Sequence, residues 1–106
     1  MSSPFDVTIV VGEVQSAEPF PKARKPQLYK LEVDLGDRVV NSAAQLGFHY
    51  TETELVGRQV LCAVDLGTVT IAGFESEALT VGVPGDDGTP VLVTPDEDVP
   101  LGGELY

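Results

Sequence analysis

Four of the six basic residues in this chain lie in one short stretch, "EPFPKARKPQLYK", and their chemistry is that of anion capture. Lys22, Arg24, Lys25 and Lys30 fall in a run from 19 to 30 that holds no Asp or Glu, while the remaining residues set two bases against seventeen acids. Lys and Arg offer phosphates and carboxylates charge-assisted hydrogen bonds. Three prolines, Pro19, Pro21 and Pro26, restrict the backbone that carries them. For Lys22, Arg24 and Lys25 the two readings are a solvated loop that aids solubility and a ligand contact. Lys30 lies in a strand pattern, where pairing with Glu32 or a cross-strand acid is the simpler reading.

The other reactive residue types point away from catalysis and metal binding. One histidine, His49, and one cysteine, Cys62, cannot assemble the usual three or four zinc ligands. Cys62 sits inside the apolar run "VLCAV" and reads as a buried strand residue. Ser42 and His49 could be drawn into a triad with an acid, but neither Ser42 nor Ser76 stands in a nucleophile elbow. The acidic runs at 86–87 and 96–98 read as a turn and a solvated edge, because they lack the alternating oxygens of a calcium loop. No catalytic residue, metal or cofactor is expected.

These side chains must be positioned by a small fold. The 106 residues, 42% hydrophobic, suit a single domain over 1–106 with one core. The net charge of −11 argues against a general polyanion binder, and is compatible both with ordinary solubility and with life in concentrated salt. No apolar run approaches the ~20 residues of a membrane helix. The amino terminus lacks a signal-peptide pattern, so a cytoplasmic protein without membrane insertion is expected.

"VTIVVGEV" is a β-branched strand pattern closed by Pro19 and Pro21. "LYKLEVDLG" alternates, with Tyr29, Leu31, Val33 and Leu35 on one face, and "GDR" turns it into "VVNSAAQL" as a hairpin. "TETELVG" is a short helix, with Thr51 as N-cap, Glu54 completing a capping box and Gly57 as the stop. "RQVLCAVDL" and "EALTVGVP" read as further strands, and "GDDG" as a hairpin turn into "PVLVTPDE". The apolar ends of "VPLGGELY" predict a docked tail. The fold class is all-β: a five-stranded Greek-key barrel of the OB type with one short helix between strands three and four. In such barrels ligands meet strands two and three and the loops joining strands one to two and four to five. The basic stretch is the first of those loops.

Four segments in order, "VGEVQSAEPFPKARKPQLYKLEVDLG", "YTETELVGRQVLCAVDL", "GFESEALTVG" and "VLVTPDEDVPLGGELY", resemble the stand-alone tRNA-binding-domain family, most closely its CsaA-type branch of export-related chaperones. The resemblance spans roughly residues 6 to 106. It implies a homodimeric OB-fold protein without catalytic activity, which binds unfolded or precursor polypeptides, with tRNA as the alternative ligand. Carried over by position, the implied ligand contacts are Lys22, Arg24 and Lys25, then Asn41, Ser42 and Gln45, then Ser76 and Glu77. Phe48, Tyr50, Leu105 and Tyr106 are read as core or as the apolar patch of a dimer, with the family favouring the dimer. Where tRNA binders of the family tend to carry Asn and a basic loop after strand four, this chain has Asp65 and "LGTVTIAG". That difference shifts the expected ligand toward polypeptide.

Overall fold

The β-branched run predicted to open the fold extends further than its sequence pattern, as β1 (Ile9–Pro19), in a computed structural model that describes residues 4–106. β1 serves two partners in succession. Its first half, Ile9 to Glu13, pairs antiparallel with β4 (Gln59–Ala63), and its second half, Glu13 to Pro19, pairs with β2 (Tyr29–Asp34). The register slips between Val14 and Ser16, the bend that lets one strand belong to both sides of a barrel. Gly12 is required just before that bend, because a Cβ there would overlap the side chains of Val33 and Leu35.

β2 turns through Gly36, whose φ is +95°, into β3 (Val39–Ala44), the hairpin expected from "GDR". The alternation read in β2 has its physical counterpart: Tyr29, Leu31 and Val33 are buried, while Glu32 is exposed. α1 (Glu52–Leu55) is capped as predicted. Glu54 N–H donates to the Thr51 hydroxyl, and Thr51 N–H donates to the Glu54 carboxylate at 2.9 Å. The helix presents Leu55 to the core, where it is fully buried with Val14, Leu31, Val33, Val60 and Cys62.

Beyond β4 the elements are short: β5 (Val69–Ile71), β6 (Phe74–Ser76), β7 (Leu79–Thr80), β8 (Gly82–Pro84) and β9 (Pro90–Leu92). "EALTVGVP" was expected as one strand, but it divides. β7 pairs with β4, Val81 N–H still reaches Leu61 O at 2.8 Å, and from Gly82 the chain leaves to pair with β9. The sheet order is β3-β2-β1-β4-β7, a nearly closed five-stranded antiparallel barrel of the OB type. Two hairpins, β5–β6 and β8–β9, are appended to it. The β5–β6 hairpin was not anticipated; its turn, Ala72–Gly73, has positive φ at both residues, +47° and +84°, as tight two-residue hairpins require. The tail docks on β1, with Leu105 N–H donating to Ile9 O at 2.8 Å. No helix among the described residues is long and apolar enough to cross a membrane.

Candidate functional site

The loop from 20 to 28 is closed at its base by Phe20 N–H donating to Leu28 O at 2.9 Å. It is tied to the end of β3 by the Gln45 side-chain amide, which donates to Pro26 O at 3.1 Å. Lys22, Arg24 and Lys25 stand exposed on this loop, and none has an ion-pair partner among the described residues. Lys30 instead meets the cross-strand acid that its register places opposite, with Nζ 3.0 Å from Glu18 Oε1.

Beside the loop runs a groove of about 450 Å³. One wall is Leu28, Ala43, Ala44 and Leu46; the other is Leu79, Val81 and Val83, with Lys25 and Gln45 contributing polar atoms. Leu79 and Val83 are half exposed, at 53% and 50%: Leu79 alternates with the buried Thr80 on β7, and Val83 lies on β8, which has left the barrel sheet.

The remaining candidate contacts form the seam that closes the barrel. Asn41 N–H donates to Glu77 Oε1 at 2.9 Å, and Asn41 O accepts from Glu77 N–H at 2.8 Å. Ser76 Oγ accepts from Ala43 N–H at 3.0 Å. Ser42, expected as a ligand contact, is wholly buried with its hydroxyl 2.8 Å from that of Thr80. Its side chain has no exposed surface to offer, because position 42 faces inward on β3. Asn41 lines a small cleft with Glu18, Lys30 and Glu32, and Gln45 reaches the main groove. The structure thus brings Lys25 and Gln45 together at one groove, and gathers Asn41, Ser42, Ser76 and Glu77 into one seam.

The four apolar candidates for a dimer face divide in two. Leu105 lies at the Ile9 end of β1, whereas Tyr50 O accepts from the Tyr29 hydroxyl at the Pro19 end. Tyr50 is also a strut: its hydroxyl accepts from Leu92 N–H at 3.0 Å, and Arg58 lies 5.1 Å from its ring centroid. Phe48 and Tyr106 are exposed, Tyr106 at 86%.

His49 and Ser42 do not meet. His49 Nε2 contacts Thr89 Oγ1 at 2.6 Å, and that hydroxyl donates to Asp87 at 2.5 Å, fixing the "GDDG" turn to the segment after β3. Asp87 approaches the same Nε2 at 3.7 Å, so it does not orient the ring from its far nitrogen as a triad acid would. The Thr89 hydroxyl, its backbone N–H and His49 hold the Asp87 carboxyl below the ordinary range. Burial pushes the Cys62 thiol up to about 11, against a weaker opposing hydrogen bond from Thr80. Burial, reinforced by Glu52, also raises the Tyr29 phenol. Among the described residues, no three His, Cys, Asp or Glu side chains cluster as metal ligands do.

Residues 9–104 match the family model described as "Putative tRNA binding domain". The chain belongs to this family. The methionine–tRNA ligase of Methanocaldococcus jannaschii is 33% identical over 99 residues, covering 93% of this chain and 15% of the ligase. The chain therefore spans about 15% of the length of such curated relatives. Two solved structures match along nearly their whole length. The chaperone CsaA of Bacillus anthracis superposes with a TM-score of 0.88 at 30% identity, covering 100% of this chain and 99% of that one. The CsaA chaperone protein of Picrophilus torridus gives 0.86 at 34%, covering 95% and 92%.

Sequence reasoning missed Phe20 and Phe74, which meet edge to face at 5.7 Å between centroids, and the outward side chains of β7 and β8. The available signal was the alternation of "TVTI" before Ala72–Gly73.

Proposed function

We propose that the protein is a non-catalytic, CsaA-like chaperone that binds unfolded or exported polypeptides, acting as a cytoplasmic homodimer. The observation that carries this reading is the groove beside the basic loop, with apolar walls and Lys25 and Gln45 among its lining residues. Alternating apolar side chains of an extended peptide suit such walls, and Lys25 suits a peptide carbonyl or carboxylate. The CsaA likeness supports the same class. Exposed Phe48 and Tyr106 supply apolar area for a second copy, and solution mass measures that directly. Fluorescence titration of an unfolded precursor peptide at about 0.1 M and about 1 M salt tests the ligand. Apolar burial holds or strengthens in salts that favour it, whereas phosphate contacts weaken. Peptide affinity that collapses at high salt while tRNA binding persists overturns the reading.

A second reading, tRNA binding, is favoured by the three cations Lys22, Arg24 and Lys25, which have no ion-pair partner among the described residues, and by the family to which the chain belongs. Nine acids and no Lys or Arg in residues 59–106 oppose a polyanion over that half. RNA that copurifies, and is lost when all three cations become Ala, supports this reading.

A further inference from the structure

The basic loop and the β5–β6 turn face one another across a second cavity, of about 330 Å³. Its floor is aromatic. Phe20 is buried at its base, and Phe74, half-buried on β6, meets it edge to face. Lys30 Nζ stands 5.0 Å from the Phe20 centroid and 5.8 Å from that of Phe74, and Lys22 contributes to the wall. No carboxylate among the described residues lines the cavity. Glu18, just outside, takes one of the three donors of Lys30, leaving two for a ligand. Phe74 and Lys30 also border the adjoining cleft that holds Asn41, so the two spaces share a wall. Both sides of the cavity are fixed: Pro19 and Pro21 restrict one, and the positive-φ Ala72–Gly73 turn closes the other.

From this arrangement we infer a binding site for one unpaired nucleotide of an RNA, with its base stacked against Phe74 and its phosphate on Lys22. The inference rests on the tRNA reading above and adds to it. The basic loop alone offers charge, which any polyanion satisfies; the cavity adds an aromatic ring flanked by two ammonium groups, which suits a ligand that is both flat and anionic. Stacking on an aromatic side chain requires a base free of its duplex partner. Lys30 supplies donors for the acceptor atoms of the base edge. The Phe20–Lys30–Phe74 cluster therefore selects single-stranded ends and loops over duplex, while Arg24 and Lys25 contribute charge without that distinction.

The full chain is titrated with fluorescent oligoadenylate, the same oligomer carrying an abasic residue at each position in turn, and an RNA duplex of equal charge. Phe74→Leu keeps an apolar contact with Phe20 and removes the stacking face. It is expected to weaken oligoadenylate about 5- to 150-fold, the span of one lost base stack. It should leave duplex affinity unchanged, and change affinity little for the oligomer whose abasic position falls in the cavity. Lys22→Ala should flatten the salt dependence by about 0.7 in the slope of log K against log salt. If Phe74→Leu leaves oligoadenylate unaffected while Arg24→Ala and Lys25→Ala weaken it, the nucleotide site is overturned and the tRNA reading stands. If neither oligoadenylate nor bulk tRNA binds the unaltered chain, both fall. If Phe74→Leu weakens an unfolded peptide but not the oligomer, the cavity belongs to polypeptide and the inference is overturned.

Discussion

Among the described residues, the buried hydrophobic side chains all come from positions 11–63 except Ala78; that region also exposes Val39 and Val56, whereas residues 64–106 bury no large hydrophobic side chain and leave Leu66, Val69, Leu79 and Val83 at least half exposed. The first region consists of strands of five to eleven residues that pair along most of their length; the second consists of strands of two or three. One region is held by burial. The other is held by backbone bonds to the barrel and by the polar seam of Ser42, Ser76, Glu77 and Thr80. A segment whose apolar side chains are not needed in the core is free to turn them toward a ligand, and the walls of both cavities draw on it.

The largest effect should come from testing one leucine on each side of that divide. Leu31, fully buried in β2, is expected to lose about 2–5 kcal/mol as Leu31→Ala, read from urea unfolding. Leu79→Ala, at 53% exposure, should stay within about 0.5 kcal/mol of the parent and instead weaken binding of an unfolded peptide. Equal destabilisation by the two would erase the contrast. Next in size is the seam. Thr80→Val removes the hydrogen-bond partner of the buried Ser42 hydroxyl and should cost about 1–3 kcal/mol. Adding Ser42→Ala should recover part of that loss, because it removes the unpaired group as well; a strictly additive pair would show that the two hydroxyls do not depend on each other.

What was legible in the sequence follows the range of the interactions involved. The capping box of α1 joins residues three apart, and the alternation of β2 is a local pattern imposed by one buried face, so both could be read directly. The Lys30–Glu18 pair was legible in kind, as a cross-strand acid, though register alone names the partner. The seam joins Ser42 to Thr80 and Ala43 to Ser76, separations of 38 and 33 residues, and nothing local marks those pairs. Ser42 was expected at a ligand because position was carried over without its facing. The β5–β6 hairpin escaped because its strands are only three residues long, so the alternation of "TVTI" is too brief to stand out, and Val69, at 60% exposure, contributes to no core. The Phe20–Phe74 contact depends on that hairpin and was hidden with it.

Raising the pH reads the buried region through Cys62, which sits in β4 with a thiol held at about 11 against an ordinary 9.0. Between those values the unfolded chain releases the proton and the folded chain keeps it, so stability falls as pH rises. The expected loss is on the order of 1 kcal/mol one pH unit above the ordinary value. Cys62→Ala should lower stability at every pH yet flatten that limb, measured by urea unfolding across the alkaline range.

Lowering the pH reads the other region, and the effect there should be smallest. Asp65 accepts Thr8 N–H on both carboxylate oxygens at 3.0 Å, which holds its carboxyl below the ordinary range, and the Thr89 bonds do the same for Asp87. Both groups are exposed. A carboxyl depressed in the folded state contributes stability that is complete above its unfolded value and is lost as pH falls through its folded one. Asp65→Asn keeps an amide oxygen that can accept from Thr8 at any pH, so its acid limb should be shallower than that of the parent. An Asp65→Asn profile parallel to the parent would mean that the Thr8 contact does not persist in solution. The start of β1 would then rest on its pairing with β4, the Val64 N–H to Thr8 O bond and the tail, and the region after Ala63 would be tied to the barrel less tightly than the seam suggests.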